Sequence, residues 1–387
     1  MTEGGKWLVQ NELASQAILQ GAYQLFSPWR LSAMEIMNLA SCLGGALAVW
    51  ILLQYSRLLN ASVGWALLLF FSSGFSIYTC GHTEYYPLVL PAMLLYGYLS
   101  VLYLRGRLGI TLVALTFLAA AGFHFAMLIA LPSLFLLPWL RKRRRDWLSI
   151  GIWLILLAPL FLIRNNPQIL GHKAAGLSPA WNFLSWLPYE GMDRYYAVLQ
   201  WGHWADWMYA WAMRSWIFWP AVVCLVAVNG LKTLFDQERF FLLIYTLSFT
   251  IWTMLWHPDL GVEADWDLFA IEAAPCLMLL LTYIPAISKR NCFYYMLLAC
   301  CIVSIVINYL HIRQKMGDHR LGYGAMQIKT PAPIQTSFTL RGLNRPLSMP
   351  RIREGVYSAK LIDQTHRCVY EMYIWVDPGG ITEVKIE

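Results

Sequence analysis

Residues 86–145, YPLVLPAMLLYGYLSVLYLRGRLGITLVALTFLAAAGFHFAMLIALPSLFLLPWLRKRRR, decide the reading of the whole chain. The stretch opens with an apolar run over 86–104, close to the roughly 20 helical residues needed to cross a hydrocarbon core of about 30 Å. Arg105 and Arg107 end that run, and a second apolar stretch, 108–139, leads to the cationic run Arg141-Lys142-Arg143-Arg144-Arg145. This second stretch is too long for one crossing and is interrupted by Gly122-Phe123-His124. Both of its ends are basic, so both belong on one side of a membrane. The pattern therefore predicts a hairpin of two short helices with its tip at His124 on the other side.

Working outward, further apolar segments fall at 33–56, 61–80, 147–164, 214–234, 239–257, 267–287 and 291–311. With 86–104 and the hairpin they predict an all-α, polytopic transmembrane helix bundle of about ten spans. Arg57, Arg105 with Arg107, the run 141–145, Lys232 with Arg239, and Lys289 with Arg290 then all fall on one side, which is the cytoplasmic one. The other side receives residues 1–32, the loop 81–87, the tip at His124, the long loop 165–213, the loop 257–267 and the tail. Three regions follow: an interfacial amphipathic segment over 1–32, a transmembrane bundle over 33–311, and a small soluble extracytoplasmic tail over 312–387.

Composition agrees with that class. Of 387 residues, 58% are hydrophobic and only 13% charged, with a mean hydropathy of +0.49, far from the balance of a soluble domain. The net charge of +7 comes largely from residues 141–145 and the tail, which reads as a topology signal and not as a nucleic-acid surface. The cysteines lie in or beside apolar runs, apart from Cys368 in the tail, with no CxxC pair, so no structural disulfide or zinc knuckle is expected. The start, MTEGGKWLVQNELASQ, lacks a basic region followed by a short apolar core and reads as a loop, not a signal peptide. Residues 7–28 carry apolar side chains at helical spacing but are too interrupted to span, which predicts a helix lying along the outer interface. The tail gains Pro, Gly and alternating segments such as 369–376, the pattern of strands and a small hairpin.

Candidate chemistry collects in the outer loops. Gly81-His82-Thr83-Glu84-Tyr85-Tyr86-Pro87 sets a carboxylate, an imidazole and two phenols at a helix junction. An ionisable group there needs a partner or a function, and Glu84 can serve as a general base or orient a hydroxyl. The other reading is a headgroup-level loop with its aromatic belt. The loop 257–267, HPDLGVEADWD, holds four carboxylates, among them Asp265 and Asp267. Such a cluster can take a divalent metal, bind sugar hydroxyls or supply a base, or simply cap the following helix. His124 can reach a phosphate or be a satisfied core histidine. His203 and Asp206 are three apart and share a helix face, which suits either a site or a helix-start pair. None of these has the spacing of a zinc-protease, nucleophile-elbow or phosphate-loop motif.

In their order, GHTEYYP after a span, FHFAMLIALPSL at the hairpin, GHWADW before a late span and GVEADWDLFA entering another resemble the GT-C superfamily of integral membrane glycosyltransferases. The likeness is to bacterial dolichol- or undecaprenyl-phosphate-sugar mannosyltransferase-like members and covers about residues 7–310. It implies an inner-membrane enzyme with a periplasmic active site, a polyprenyl-phosphate-sugar donor, membrane lipid as a partner and no nucleic acid, and it leaves the acceptor open. It also implies single displacement at the anomeric carbon. Glu84, Asp265 and Asp267 would then be the catalytic carboxylates, with a divalent metal an optional cofactor. His82, Tyr85, His124, His203, Arg164 and Arg194 would bind substrate, the cations meeting the phosphate. Two departures stand out: family members have more membrane helices, and they carry a carboxylate just after the first, whereas residues 1–32 offer only Glu3 and Glu12. A chain lacking that first helix is the expectation that covers both. The competing classes are a transporter or flippase, which would place polar groups near the midplane in repeated halves, and a non-catalytic membrane scaffold.

Overall fold

The computed structural model describes residues 13–29, 33–74, 76, 86–155, 201–214, 218–255, 271–286, 292–320 and the strands named below. Contacts divide the chain into two units, Met1–Asn308 and Tyr309–Glu387.

The first unit is helical. Its helices are α1 (Leu13–Phe26), α2 (Ala33–Leu58), α3 (Val63–Ser72), α4 (Tyr86–Leu104), α5 (Ile110–Phe123), α6 (Leu131–Arg141), α7 (Arg144–Ile155), α8 (Trp201–Arg214), α9 (Phe218–Asn229), α10 (Gln237–Leu255), α11 (Ala273–Leu281) and α12 (Cys292–Arg320), the last running past the division. A helix lies in every apolar stretch read from the sequence, and 108–139 is a hairpin. His124 leaves helical geometry at φ −154°, ending α5 and capping the tight turn Phe125–Ala130 that leads into α6. The tail forms two three-stranded sheets. In one, β1 (Tyr323–Lys329) pairs antiparallel with β3 (Ile352–Arg353) and parallel with β6 (Ile381–Lys385). In the other, β4 (Gly355–Asp363) pairs antiparallel with β2 (Phe338–Leu340) and with β5 (Cys368–Val376), in register from Gly355 opposite Val376 to Asp363 opposite Cys368.

Among the described residues, two helical segments are long and apolar enough to cross a membrane, Glu35–Leu58 and Cys292–Leu310. A core helix of a soluble protein would be mostly covered, yet only 39% and 28% of these windows are buried. Leu39, Leu43, Leu47 and Trp50 turn one apolar stripe of α2 outward, and Ile302, Val303, Val306 and Leu310 do so on α12. Exposed apolar faces of this extent belong against lipid or a partner. The other apolar helices are shorter: Val63–Ser72, Leu88–Leu104, Ile110–Phe123, Phe125–Arg141 and Phe218–Ala227.

Inside the bundle, aromatic rings from three helices interlock. Tyr96 of α4 meets Phe117 of α5 and Phe241 and Tyr245 of α10 edge-on. Their hydroxyls are satisfied across helices: Tyr96 with Ser133 of α6 at 2.9 Å, Tyr245 donating to the Met93 carbonyl at 3.2 Å, and Tyr55 of α2 to the Met278 carbonyl of α11 at 3.3 Å. Gly97 lets α4 and α11 approach closely, since a Cβ built there would stand 2.5 Å from the Met278 sulfur.

One end of the bundle is tied by the basic residues. Arg105, just past α4, grips Glu238 of α10 through Nε at 2.6 Å and Nη2 at 2.8 Å, and its Nη1 donates to the Leu58 carbonyl at 2.6 Å. The Glu238 carboxylate holds this guanidinium's pKa above its ordinary value. Arg239 lies over the Tyr283 ring at 4.3 Å and donates to the Thr282 carbonyl at 3.1 Å, while Arg141 lies over Tyr103, whose hydroxyl donates to Asp146. The ends of α2, α4, α6 and α11 and the starts of α7 and α10 therefore meet here. A lysine has no fork to make all three Arg105 bonds at once. Arg105→Lys is expected to cost about 1–3 kcal/mol, read as a lowered thermal unfolding midpoint of the purified protein; an unchanged midpoint would show that this tie does not hold the helix ends.

Candidate functional site

Of the nominated residues, His124 and His203 are described, and Glu84, Asp265, Asp267, His82, Tyr85, Arg164 and Arg194 lie outside the described residues. The two histidines sit in different surroundings.

His124 is a buried capping residue. Its Nδ1 accepts the Ala126 backbone N–H at 3.0 Å, which satisfies a donor at the start of the turn after α5. Beside it, Ser15 of α1 donates to the Phe123 carbonyl at 3.1 Å, and Ala14 would touch a Cβ built on Gly122 at 3.5 Å. The segment read as interfacial thus meets the hairpin tip through Ala14 and Ser15, buries Leu19, and turns Ile18 and Leu25 outward. These bonds fit the satisfied-core reading of His124.

His203 belongs to a polar cluster where α8, α9, α10 and the residue before α11 meet. It is only 3% exposed, and its Nε2 lies 2.6 Å from the Met254 carbonyl. A carbonyl can only accept, so Nε2 carries the proton and, in the neutral ring, Nδ1 is the acceptor. One turn along α8, the Trp207 indole N–H donates to the Thr253 hydroxyl at 3.3 Å, and Trp219 of α9 donates to the Thr250 hydroxyl at 3.2 Å. Thr253 also lies 3.0 Å from Glu272 Oε2 and 2.9 Å from the Thr250 carbonyl. Its one proton serves one acceptor at a time, so this hydroxyl couples the α10 backbone to the carboxylate.

Glu272 is the residue that reading the sequence missed. It is 3% exposed at the N-terminal edge of α11, followed by residues 273–281, all buried. The available signal was a lone carboxylate within FAIEAAPCLMLL, well inside the apolar segment 267–287. An ionisable side chain in such a run is expensive and is kept for a partner or a function.

The cluster's placement can be measured along α10. Glu238 and Thr253 are fifteen positions apart, which at 1.5 Å per residue is about 22 Å. The tied basic residues and the His203–Glu272 cluster therefore occupy opposite ends of one helix, with Phe241, Tyr245 and Phe249 buried between them. The acidic stretch 257–267 joins α10 to α11 at the Glu272 end by sequence. Among the described residues, no group of three His, Cys, Asp or Glu side chains converges on a metal position. Protein-family models, curated proteins and solved structures contain no match to the chain.

Removing the Thr253 hydroxyl leaves Glu272 and Trp207 each short of one hydrogen bond inside the protein. Thr253→Val is expected to destabilise by about 1–3 kcal/mol, whereas Thr253→Ser should unfold near the wild-type temperature. Equal midpoints for the valine and serine variants would mean that the hydroxyl is not the coupling element.

Proposed function

We propose that the chain is a multi-pass membrane glycosyltransferase that moves a sugar from a polyprenyl-phosphate donor to an acceptor at the face opposite its basic residues, the periplasmic face of a bacterial inner membrane. The observation that carries this reading is the polar cluster of His203, Thr253 and Glu272 at the helix ends flanking the acidic loop. A transporter would need such groups near the middle of the bundle, where α10 instead presents Phe241, Tyr245 and Phe249. The outward apolar stripes of α2 and α12 support membrane insertion, and the ten crossings read from the sequence supply the topology.

In this reading the acceptor's oxygen attacks the anomeric carbon as the bond from that carbon to the phosphate oxygen breaks. The acceptor's proton passes to an outer carboxylate, and polyprenyl phosphate leaves with the bonding electrons. Glu84 is assigned the base. Asp265 and Asp267 position the donor, directly or through a divalent cation, and Arg164 and Arg194 face the negative charge that grows on the leaving phosphate. His82 and Tyr85 contact the sugar. His203 and Glu272 hold the ends of α8, α10 and α11, so that the loop 257–267 starts and finishes on fixed helices.

The test is transfer of radiolabelled sugar from polyprenyl-phosphate donors in membranes carrying the protein, with Glu84→Gln and Asp265→Asn beside wild type. Wild-type transfer that falls by about a hundredfold or more in a variant still inserted in the membrane supports the assignment, the usual scale for a lost proton acceptor. Wild-type rates in both variants would remove these two residues from the chemistry. Absence of transfer from every donor would reject the enzyme reading.

A further inference from the structure

At the basic end, a groove of about 720 Å³ opens between α6, α7 and the start of α10. Trp139, Lys142, Arg143, Arg144, Trp147 and Phe240 line it. Arg141, the first cation of the run, is turned onto Tyr103 and takes no part in the lining. Lys142, Arg143 and Arg144 are exposed, and their side chains make no hydrogen bond or ion pair among the described residues. Among the described residues no nearby acid forms an ion pair with them. Asp146 receives the Tyr103 hydroxyl, Glu238 is held by Arg105, and Asp236 stands exposed beside the groove without lining it. Three cations thus face an open cavity with no acid in its wall.

Two further observations say what kind of molecule fits. Phe135 stacks on Trp147 at 6.0 Å between ring centres, and Leu148, Ile152 and Ile155 turn outward in an apolar stripe along α7 that leads away from the cations, Leu148 being 71% exposed. A charged rim that passes into an apolar lane matches an amphiphile, whereas free phosphate would use only the rim. Lys142 also has a left-handed backbone, φ +54°, where it closes α6. Glycine adopts that conformation without penalty, so a cation stands at a place where the backbone alone favours glycine.

We propose that this groove binds an anionic phospholipid of the cytoplasmic leaflet, its phosphate among Lys142, Arg143 and Arg144 and its acyl chains along Leu148, Ile152 and Ile155. The inference rests on the membrane reading and is independent of glycosyl transfer. Basic pockets between membrane helices on the cytoplasmic side take such headgroups, each cation contributing about a fivefold gain in affinity.

Native mass spectrometry of the full chain in detergent, titrated with phosphatidylglycerol or with phosphatidylcholine of the same chains, tests it. Wild type is expected to hold phosphatidylglycerol about a hundredfold more tightly, from three cations at about fivefold each. The triple variant Lys142→Gly, Arg143→Gln, Arg144→Gln should lose that preference with phosphatidylcholine binding unchanged. Lys142→Gly alone, at a position where glycine suits the backbone, should lose about fivefold while unfolding no earlier than wild type. Equal affinity for the two lipids in wild type, or undiminished phosphatidylglycerol binding in the triple variant, overturns the proposal. So does inorganic phosphate raising the unfolding midpoint as much as phosphatidylglycerol does, which would mark a free-anion site. Alkaline carbonate extraction of membranes separates the two levels: release of wild type into the supernatant overturns the membrane reading and the groove with it. Retention in the pellet with no lipid preference overturns the groove alone.

Discussion

Arg105 is the point on which the bundle's architecture hangs. One guanidinium closes the carboxylate of α10 with two N–H groups and the last carbonyl region of α2 with a third, at the residue where α4 stops. A helix end leaves carbonyls without intrahelical partners, and in an apolar medium these must be met by side chains. Arginine does this without losing its charge, because its fork fits a carboxylate and a carbonyl together and it stays protonated at any relevant pH. Once α2, α4 and α10 are pinned at one end, the tyrosines along their lengths fall within reach of neighbouring carbonyls and hydroxyls. Tyr55, Tyr96 and Tyr245 are then satisfied helix to helix.

The same arrangement gives the molecule two unlike ends. Cations and aromatic faces dominate one, with Arg239 on Tyr283 and Arg141 on Tyr103. Ring N–H and hydroxyl donors near the buried Glu272 carboxylate mark the other, with His203, Trp207 and Thr253. Because α10 and α11 reach from one to the other, any chemistry in the acidic loop that joins them rests on elements anchored at the far end. This is how a site on loops is given a rigid base.

How much of this was legible in the sequence differs by residue. The helices announced themselves through apolar runs, and the break at Gly122-Phe123-His124 was visible because a small residue and a polar ring interrupt continuous hydrophobicity. Charge alternation predicts Arg57, Arg105, Arg107, Arg141 to Arg145, Lys232, Arg239, Lys289 and Arg290 on one side of a membrane, and of these Arg105, Arg141 and Arg239 meet helix ends at one end of the bundle. Partners were not legible: nothing in a linear pattern says that Glu238 belongs to Arg105, 133 residues away. Glu272 was passed over because its neighbours are so apolar that the segment reads as featureless. His124, a lone imidazole in an apolar hairpin, left a chemical and a satisfied-core reading both open, because the backbone N–H that its Nδ1 accepts is not visible in a linear pattern.

Gly97 carries a consequence beyond close packing. It sets α4 beside α11 at Met278, whose sulfur fills the space a side chain at 97 would take. Gly97 lies eleven residues into α4, which begins two positions after Glu84, and Met278 lies six residues after Glu272. One residue inserted before Gly97 would turn the start of α4 by about 100° and shift it by about 1.5 Å relative to α11. The register between the starts of α4 and α11, far apart in the chain, is thus written into helix phase. An insertion between the start of α4 and Gly97, or between the start of α11 and Met278, changes that register, which leaves variation in length to the loops that precede the two helices.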